Sequence, residues 1–373
     1  MSARINLADP ADRADRLGQP AEIAVFRALK LGDLLCTIPA LRALRHAFPH
    51  SRITLISLPW AQQLVRRFRA YLDAFIPFPG FPGFPEQPFD VAALPCFLHE
   101  AQSRRFDLAL QLHGSGTLSN PVVALLGARH MAGYFRSGEF CPDPERFIPW
   151  RSAEHEVHRY LTLLRELGIA ADDAALEFPV TDEDRDDLRR AAGSSLDQGD
   201  YVCMHPGSQL PSRRWHAERF AAVADALAED GLNVVLTGVA GEAALNRQVA
   251  RSMRARAIDL AGKTSLGAAA ALIDGAKLLV SNDTGVAHIA AARRTPSVRI
   301  SCGGDERRWA PLEEDIHRVV HHPVECKPCS YGICPKGHEC AAGVDTESVI
   351  AAARELLANS AQRPLAQSSL ARS

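Results

Sequence analysis

Short apolar runs alternate with helix-length amphipathic segments along most of this chain, and this alternation constrains the fold more than any other feature. In the first half, three such pairs follow one another: 22–28 with 33–48, 52–58 with 61–69, and 106–112 with 121–127. Alternation of this kind is typical of βαβ units, which build a parallel sheet. The sequence therefore predicts an α/β fold.

A second series of the same kind follows the charged stretch 181–190. Its pairs are 201–205 with 217–229, 233–237 with 242–254, and 278–281 with 285–292, and a last strand is predicted at 297–300. At 373 residues, the chain is long enough for two domains with separate cores. We therefore expect two doubly wound, Rossmann-like domains that face a central cleft, where open α/β sheets usually bind ligands.

The composition of both ends completes the predicted organisation. The first 20 residues and the last dozen or so are polar and lack periodicity, which is typical of disordered tails. The expected parts are a disordered tail at 1–20, an N-terminal domain at 21–192, a C-terminal domain at 200–342, a final helix at 343–358 and a second disordered tail at 359–373.

The charge balance limits the classes of partner. The chain has 42 Lys and Arg against 44 Asp and Glu, so its formal net charge is −2 and it lacks the basic surface of a general nucleic-acid binder. Any anionic ligand must be bound by local groups. The N-terminus has no apolar signal-peptide core and no segment reads as a transmembrane helix, so we expect a cytoplasmic protein with reduced thiols.

A run rich in Phe and Pro, IPFPGFPGFPEQP at 76–88, interrupts the first series. It contains too many prolines for a helix or a central strand. It is either an ordered apolar loop or lid, or a plain surface connection. Exposure of Phe78, Phe81 and Phe84 together would leave an apolar patch, so acceptor or membrane contact is a hypothesis for this loop.

Several short motifs resemble known sites but lack a required residue. The segment 262–264 reads Gly-Lys-Thr, but Ala257 stands where a phosphate-binding loop needs glycine. The segment 113–119 lacks the glycine spacing of a nucleophile elbow and of a dinucleotide fingerprint. The segment 155–158, His-Glu-Val-His, is one residue too short for a zincin motif and is interpreted as a solvated helix face. These patterns give no support to an ATPase, a hydrolase or a dehydrogenase.

Polar residues at the ends of predicted strands carry a more consistent signal. Asp33 follows a glycine turn after the first strand, where it could cap a helix or act as a general base. Arg213 and Arg214 follow the turn His-Pro-Gly-Ser at 205–208, where they could bind a diphosphate or form a solvated basic turn. Glu242 could cap a helix or contact a ribose or base.

The segment 281–288, Ser-Asn-Asp-Thr-Gly-Val-Ala-His, follows a buried apolar strand and opens a helix at Gly285. Its backbone N–H groups and the Thr284 hydroxyl suit an anion, and Asp283 can accept hydrogen bonds from hydroxyl groups. His288 lies about 140° round the helix from Asp283, so the two need not share a face, and His288 could simply pack.

In order and spacing, these motifs resemble glycosyltransferase family 9, the heptosyltransferases that build the inner core of bacterial lipopolysaccharide. The resemblance covers about 21–357 and is most specific in Asp-Thr-Gly-x-x-His. It implies a GT-B architecture of two Rossmann-like domains and a final helix that crosses back onto the N-terminal domain. It also implies inverting transfer of heptose from ADP-heptose, with no metal at the active site.

The resemblance assigns roles to single residues. It implies that Asp33 is the general base that deprotonates the acceptor hydroxyl. Arg213 departs from the family pattern, which commonly has lysine there, and so its contact with the donor diphosphate is altered in reach. The implied donor-binding residues are Ser208, Arg213, Arg214, Glu242, Asp283, Thr284, Gly285 and His288.

The implied acceptor is a lipid-linked saccharide of the lipopolysaccharide core, reached at the cytosolic face of the inner membrane. Two alternatives stay open. One is a family-9-like enzyme with another sugar nucleotide or acceptor, suggested by Arg213 and by the loop at 76–88. The other is a non-catalytic nucleotide- or zinc-binding protein, suggested by a cluster of cysteines.

That cluster holds four of the nine cysteines, Cys326, Cys329, Cys334 and Cys340. Their intervals differ from the paired C-x2-C of common zinc sites. Structural zinc, packed reduced thiols and a disulfide are therefore all open, whereas no cofactor is expected for catalysis.

Overall fold

The computed structural model describes residues 17–196 and 200–362. The chain divides into two compact units, Met1–Pro179 and Val180–Ser373, each built on a six-stranded parallel sheet. The predicted α/β fold with two doubly wound domains is thereby confirmed. Within the described residues, no helix combines the length and the apolar character needed to cross a membrane.

The first unit has the strand order β3-β2-β1-β4-β5-β6. Helices cover both faces of such parallel sheets, which explains why the central strands are apolar along their whole length. The strands are β1 (Glu22–Phe26), β2 (Arg52–Ser57), β3 (Ala74–Pro77), β4 (Leu108–Gln111), β5 (His130–Phe135) and β6 (Phe147–Pro149). The helices are α1 (Leu31–Leu35), α2 (Ile38–Ala47), α3 (Gln62–Arg67), α4 (Leu94–Ser103), α5 (Ser119–Ala124) and α6 (Glu156–Glu166).

The second unit has the strand order β12-β11-β10-β7-β8-β9, which repeats the order of the first unit when counted from β7. Its strands are β7 (Tyr201–His205), β8 (Asn233–Leu236), β9 (Ala257–Asp259), β10 (Leu278–Asn282), β11 (Ser297–Ser301) and β12 (His317–His321). Its helices are α7 (Asp182–Ala192), α8 (Ala217–Glu229), α9 (Ala243–Ser252), α10 (Leu266–Gly275), α11 (Gly285–Arg293), α12 (Glu306–Trp309), α13 (Glu339–Ala342) and α14 (Thr346–Gln362).

The segment 33–48, predicted as one helix, forms two. Pro39 is near the start of α2, where its missing N–H is not needed, but it could not continue a helix that began before it. The Thr37 hydroxyl donates to the Leu34 carbonyl at 2.6 Å and so closes α1. This break places Asp33 in the short helix α1, immediately after the turn that follows β1.

The Phe- and Pro-rich loop at 76–88 turns its aromatic rings inward. Phe78 and Phe84 are buried and their ring centroids lie 5.3 Å apart, while Phe26 of β1 lies 5.1 Å from Phe78. The loop is therefore part of the first unit's core, and these rings form no exposed apolar patch. Ile76 and Pro77 end β3, an edge strand, where proline is tolerated.

The boundary between the units differs from the predicted linker at 193–199. The helix α7 belongs to the second unit because it packs against α10, where Arg185 forms an ion pair with Asp274 at 2.9 Å. The Ser265 hydroxyl also donates to Asp187 at 3.2 Å. The N-terminal domain therefore ends at Pro179 rather than at residue 192.

The final helix also differs from the expectation that it crosses back to the N-terminal domain. Val349, Ala353 and Leu356 of α14 are buried in the core of the second unit, against α8 and strands β10 to β12. Arg354 pairs with Asp230 at 2.8 Å on the same unit. The helix thus completes the second unit.

At both ends, the folded part of the chain extends into the segments predicted as disordered tails. Leu17 is buried, so order begins before residue 20, and α14 continues to Gln362, beyond the predicted end at 358. The remaining parts of the predicted tails, 1–16 and 363–373, lie outside the described residues.

Candidate active site

In the first unit, the chain that leaves β1 brings Asp33 next to a buried arginine. Arg27 is inaccessible to solvent, and its Nε donates to the Asp33 backbone carbonyl at 2.8 Å. Its Nη2 lies 3.5 Å from Asp33 Oδ1 and 3.1 Å from Glu156 Oε1. The Asp33 side chain keeps 23% of its surface exposed, so it is held in place and still open to a ligand.

Glu156 is the centre of a buried charge network beneath Asp33. Its carboxylate accepts from Arg27, from Arg159 Nε at 3.3 Å, and from the Tyr160 hydroxyl. Arg159 also donates to the Arg151 carbonyl at 2.7 Å. Buried charges persist only when they are paired and hydrogen-bonded, and here both arginines meet that condition.

The interpretation of 155–158 as a solvated helix face is therefore wrong for its middle residues. Glu156 and Val157 are buried, whereas His158 is exposed. The spacing i, i+3, i+4 of Glu156, Arg159 and Tyr160 was the available signal, because those positions share one face of a helix.

The charge on Arg27 is secure. Burial on its own would lower the pKa of the guanidinium, but Tyr160, Glu156 and Asp33 together raise the pKa above its ordinary value. A permanent cation therefore lies beside the Asp33 carboxylate at the end of β1.

Next to this network, His113 and Glu86 face each other. His113 Nδ1 accepts from the Ala28 N–H at 3.2 Å, and its Nε2 lies 3.9 Å from Glu86 Oε1. Burial lowers the pKa of His113 to about 3, with a further lowering by Arg27. The ring is therefore neutral near pH 7.

In the second unit, Asn282 ties the two conspicuous motifs together. Its Oδ1 accepts from the Trp215 N–H at 3.0 Å, and its Nδ2 donates to the Pro206 carbonyl at 2.7 Å. The end of β10 thus fixes the loop after β7 and the Arg-Arg-Trp segment. No role was predicted for Asn282, although it immediately precedes the most specific motif.

Glu242 lies against the glycine turn after β7. A Cβ on Gly207 would lie 2.2 Å from the carboxyl carbon of Glu242, so only glycine allows this approach. Glu242 Oε2 accepts from the Val239 N–H at 2.9 Å and lies 3.9 Å from His205 Nε2. The expected capping role of Glu242 is thus observed, because its carboxylate accepts from the N–H that begins the turn 239–242.

Asp283 is oriented by a buried arginine. Arg299 of β11 is nearly inaccessible, and its guanidinium donates to Asp283 Oδ1 and to the Trp309 carbonyl. A Cβ on Gly304 would lie 2.3 Å from Asp283 Oδ2 and 3.4 Å from Arg213 Nη1. Asp283 and Arg213 therefore both approach Gly304, where only a glycine leaves room for the Asp283 carboxylate.

A set of buried atoms in this corner has no hydrogen-bond partner among the described residues. The set comprises Arg213 Nη1, Ser281 Oγ, Thr284 Oγ1, Arg299 Nε and Ser301 Oγ. Thr284 also precedes α11, whose first N–H groups point out of the helix. Unsatisfied buried donors at a helix N-terminus suit an anion, above all a phosphate group.

The remaining predicted residues have supporting positions. Arg214 Nε donates to the Ser208 carbonyl at 2.9 Å, so it holds the glycine turn. Gly285 is the first residue of α11. His288 is buried in α11, and its ring centroid lies 6.2 Å from that of Trp309, so packing is part of its role.

The cysteine-rich segment lies against the arginine turn. Arg213 donates to the Cys329 carbonyl, and the Ser212 N–H donates to the Gly332 carbonyl at 3.1 Å. Burial raises the pKa of the Cys340 thiol, and the nearby Cys334 raises it further. All nine cysteines are free thiols.

The fit of a metal to these thiols is poor. Across residues 17–196 and 200–362, no three His, Cys, Asp or Glu side chains are arranged to hold a metal ion. The contacts of the cysteine-rich segment instead support the turn that carries Arg213.

Several functional candidates thus escaped the sequence: Arg27, Glu86, His113, Glu156, Asn282 and Arg299. A usable signal existed for Arg299, an arginine within the otherwise uncharged strand Ser297–Ser301. The pairing of Glu86 with His113 is set by tertiary packing and leaves no local pattern.

Comparison with known proteins gives a consistent result. A model of glycosyltransferase family 9 (heptosyltransferase) matches residues 97–338, more than half of the chain. Lipopolysaccharide heptosyltransferase 3 of Escherichia coli K12 is 25% identical over 87% of this chain and 95% of its own length. Lipooligosaccharide heptosyltransferase 2 of Haemophilus influenzae is 33% identical over 78% of this chain and 85% of its own length.

A solved structure agrees with the fold. Escherichia coli ADP-heptose lipopolysaccharide heptosyltransferase II superposes with a TM-score of 0.71 at 21% identity, covering 91% of this chain and 99% of that one. At this identity the likeness concerns the fold.

Proposed function

This chain belongs to glycosyltransferase family 9, and we propose that it transfers heptose from ADP-heptose to an acceptor of the lipopolysaccharide core with inversion at the anomeric carbon. The resemblance drawn from its motifs is confirmed, and so is the assignment as a glycosyltransferase. The alternative of a non-catalytic nucleotide- or zinc-binding protein is set aside.

The observation that carries the proposal is the position of Asp33. The partly exposed Asp33 carboxylate beside the buried Arg27 is suited to accept the proton of an acceptor hydroxyl. In the proposed step, the acceptor oxygen bonds to the anomeric carbon, the bond from that carbon to the phosphate oxygen breaks, and the hydroxyl proton passes to Asp33. ADP leaves with the bonding electron pair.

The second unit is proposed to hold the donor. Arg213 Nη1 and the N-terminus of α11 would neutralise the diphosphate as negative charge grows on it. Asp283 and Glu242 would accept hydrogen bonds from sugar and ribose hydroxyl groups. Because these groups can supply the positive charge, we propose that transfer needs no metal cofactor, and zinc at Cys326, Cys329, Cys334 and Cys340 is not part of this proposal.

The acceptor is proposed to be lipid-linked, and the enzyme would meet it from the cytoplasm at the face of the inner membrane. The named relatives act on lipopolysaccharide or lipooligosaccharide, which supports this acceptor class. The loop at 76–88 buries Phe78 and Phe84, so membrane contact through those rings is not part of the proposal. Binding to liposomes with and without acceptor separates recognition of the acceptor from affinity for the bilayer.

The test incubates the purified protein with ADP-heptose and a set of truncated lipopolysaccharides, and reads the products by mass spectrometry. We expect one acceptor to gain a single heptose, and nuclear magnetic resonance of the new linkage to show the inverted anomer. No mass increase on any acceptor contradicts the proposal.

A second candidate keeps the family and changes the donor. Arg213 stands where lysine is common in the family, and its planar guanidinium reaches a diphosphate differently from an ammonium group. A panel of sugar nucleotides in the same assay decides between the two, because transfer of a different sugar would add a different mass.

A further inference from the structure

Glu86 is a buried carboxyl group that the proposed chemistry does not use. Only 17% of its side chain is exposed, and its Oε2 has no hydrogen-bond partner within the described parts of the chain. A buried polar atom without a partner costs free energy, and a bound hydroxyl group or water at this carboxylate would lower that cost.

His113 supplies the complementary group. Its side chain is nine-tenths buried, and its Nδ1 is occupied as the acceptor of the Ala28 N–H. In a neutral ring the proton is therefore on Nε2, which becomes a donor. That donor lies 3.9 Å from Glu86 Oε1, too far for a direct hydrogen bond.

The 3.9 Å between His113 Nε2 and Glu86 Oε1 can be bridged by the oxygen of one hydroxyl group. An oxygen at about 2.8 Å from each atom spans it with an angle of roughly 90° at the oxygen. Such an oxygen accepts from His113 Nε2 and donates its own proton to Glu86. A donor and an acceptor set apart in this way recognise a hydroxyl rather than a cation or an anion.

The pair is held rigidly. The ring centroid of His113 lies 5.5 Å from that of Phe26 and 5.0 Å from that of Phe84. Phe78 and Phe84 of the same loop are buried, and their ring centroids lie 5.3 Å apart. Binding a hydroxyl here therefore costs little ordering of the protein.

Glu86 and His113 also lie near Asp33. Burial raises the pKa of Glu86, the Asp33 carboxylate raises it further, and Lys30 opposes this. Ala28, whose N–H fixes the His113 ring, is one residue beyond Arg27, the partner of Asp33. A sugar that presents one hydroxyl to Asp33 can present another to this pair.

We propose that Glu86 and His113 bind a second hydroxyl group of the acceptor sugar, next to the one that Asp33 deprotonates, and so select acceptors with a polyol of that geometry. Glu86 is then an acceptor-specificity residue and takes no proton in the reaction. This inference rests on the proposed function of the same site.

The test compares Glu86→Ala and Glu86→Gln with the wild type and with the control Gln87→Ala, which alters the same loop. For Glu86→Ala we expect the acceptor KM to rise about tenfold, with kcat and the ADP-heptose KM within about threefold of wild type. Glu86→Gln keeps an amide oxygen as an acceptor and should recover most of the loss. Gln87→Ala should leave the acceptor KM within about twofold.

Monodeoxy forms of the acceptor sugar identify the hydroxyl. For the wild-type enzyme, kcat/KM should be about tenfold lower with one of the deoxy acceptors than with the full acceptor. For Glu86→Ala, the same deoxy acceptor and the full acceptor should give equal kcat/KM, because both changes remove the same hydrogen bond. An unchanged acceptor KM in a folded Glu86→Ala protein, or additive losses for every deoxy form, overturns the proposal.

Acceptor affinity can also be measured without any donor, by calorimetric titration of the wild type and of Glu86→Ala with the same acceptors. This measurement does not depend on which sugar the enzyme transfers. Weaker acceptor binding by Glu86→Ala supports the proposal even if ADP-heptose is not used, and that outcome overturns the donor assignment alone. Equal binding by both proteins overturns the proposal.

Discussion

The two units share one strand order but differ in how they treat the charges at the ends of their strands. In the first unit, Arg27, Glu156 and Arg159 satisfy one another and leave only the Asp33 carboxylate partly exposed. In the second unit, Arg213 and Arg299 each keep a buried nitrogen without a partner among the described residues.

This difference corresponds to two tasks. A general base must be held in one orientation before the substrate arrives, and a saturated buried network provides that rigidity. A site for a nucleoside diphosphate needs donors that become satisfied only when the phosphate groups arrive. The same topology thus carries the proposed base in one unit and the proposed diphosphate site in the other.

The largest expected effect tests the base of the first unit. Asp33→Ala should reduce the rate of transfer by about 10³-fold or more, because no other exposed carboxylate is paired with Arg27 in the described residues. ADP binding, measured by calorimetry, should stay within about twofold, since the residues proposed to bind the donor lie in the second unit. Full turnover by this variant would contradict the proposal that the first unit supplies the general base.

The second-largest expected effect is a loss of stability when the buried network of the first unit is broken. Glu156→Ala leaves Arg27 and Arg159 buried without their shared carboxylate and should cost about 3–5 kcal/mol in the free energy of unfolding. Arg190→Ala is the control, because it breaks an exposed pair with Asp187 and should cost less than about 1 kcal/mol. Denaturant titration measures both, and equal losses would mean that Glu156 is not the centre of the network.

The open donor of the second unit should affect the ligand instead of the fold. Arg213→Ala should weaken ADP binding about 10- to 100-fold, whereas Arg213→Lys should retain most of it because the charge remains. Arg307→Ala, at an exposed arginine of the same unit, is the control and should leave ADP binding unchanged. If Arg213→Ala lowers the unfolding free energy but not ADP affinity, the arginine belongs to the scaffold.

The sequence predicted the frame of both units well because buried parallel strands and amphipathic helices leave a strong periodic signal. Tyr201–His205 and Ala217–Glu229 have the predicted bounds. The strands β3, β5, β6, β9 and β12 were missed because they are short or mix polar with apolar residues. Their position is decided by pairing with a neighbour, and pairing leaves little local pattern.

The site was predicted unevenly for a similar reason. Asp33 and Arg213 lie in short segments of distinctive composition that follow β1 and β7, so the sequence marks them. Glu156 and Arg299 are buried charged residues that pair with Arg27 and Asp283, and Glu86 faces His113 across 27 positions of chain. Such partners are chosen by tertiary packing, which the local sequence does not record.

The smallest expected effect concerns how the free energy of unfolding of each unit depends on pH. Burial lowers the pKa of His113 in the first unit to about 3 and that of His317 in the second unit to about 4. In the unfolded chain, each histidine is protonated once the pH falls below about 6.5, whereas in the folded chain it stays neutral until its lowered pKa is reached. Between these two pH values, unfolding is therefore accompanied by proton uptake. The stability of both units should therefore decrease below pH 6.5, down to about pH 4 for His317 and about pH 3 for His113.

The variant His317→Asn isolates the contribution of the second unit, because an amide can still bond the Ser297 hydroxyl that lies 2.8 Å from His317 Nδ1. Between pH 6 and 5, its free energy of unfolding should fall less steeply than that of the wild type by about 1 kcal/mol per pH unit. His158→Asn, at an exposed histidine, should keep the wild-type slope. Parallel slopes for His317→Asn and the wild type would mean that His317 is protonated in the folded unit, and the acid response of the chain would then rest on the first unit.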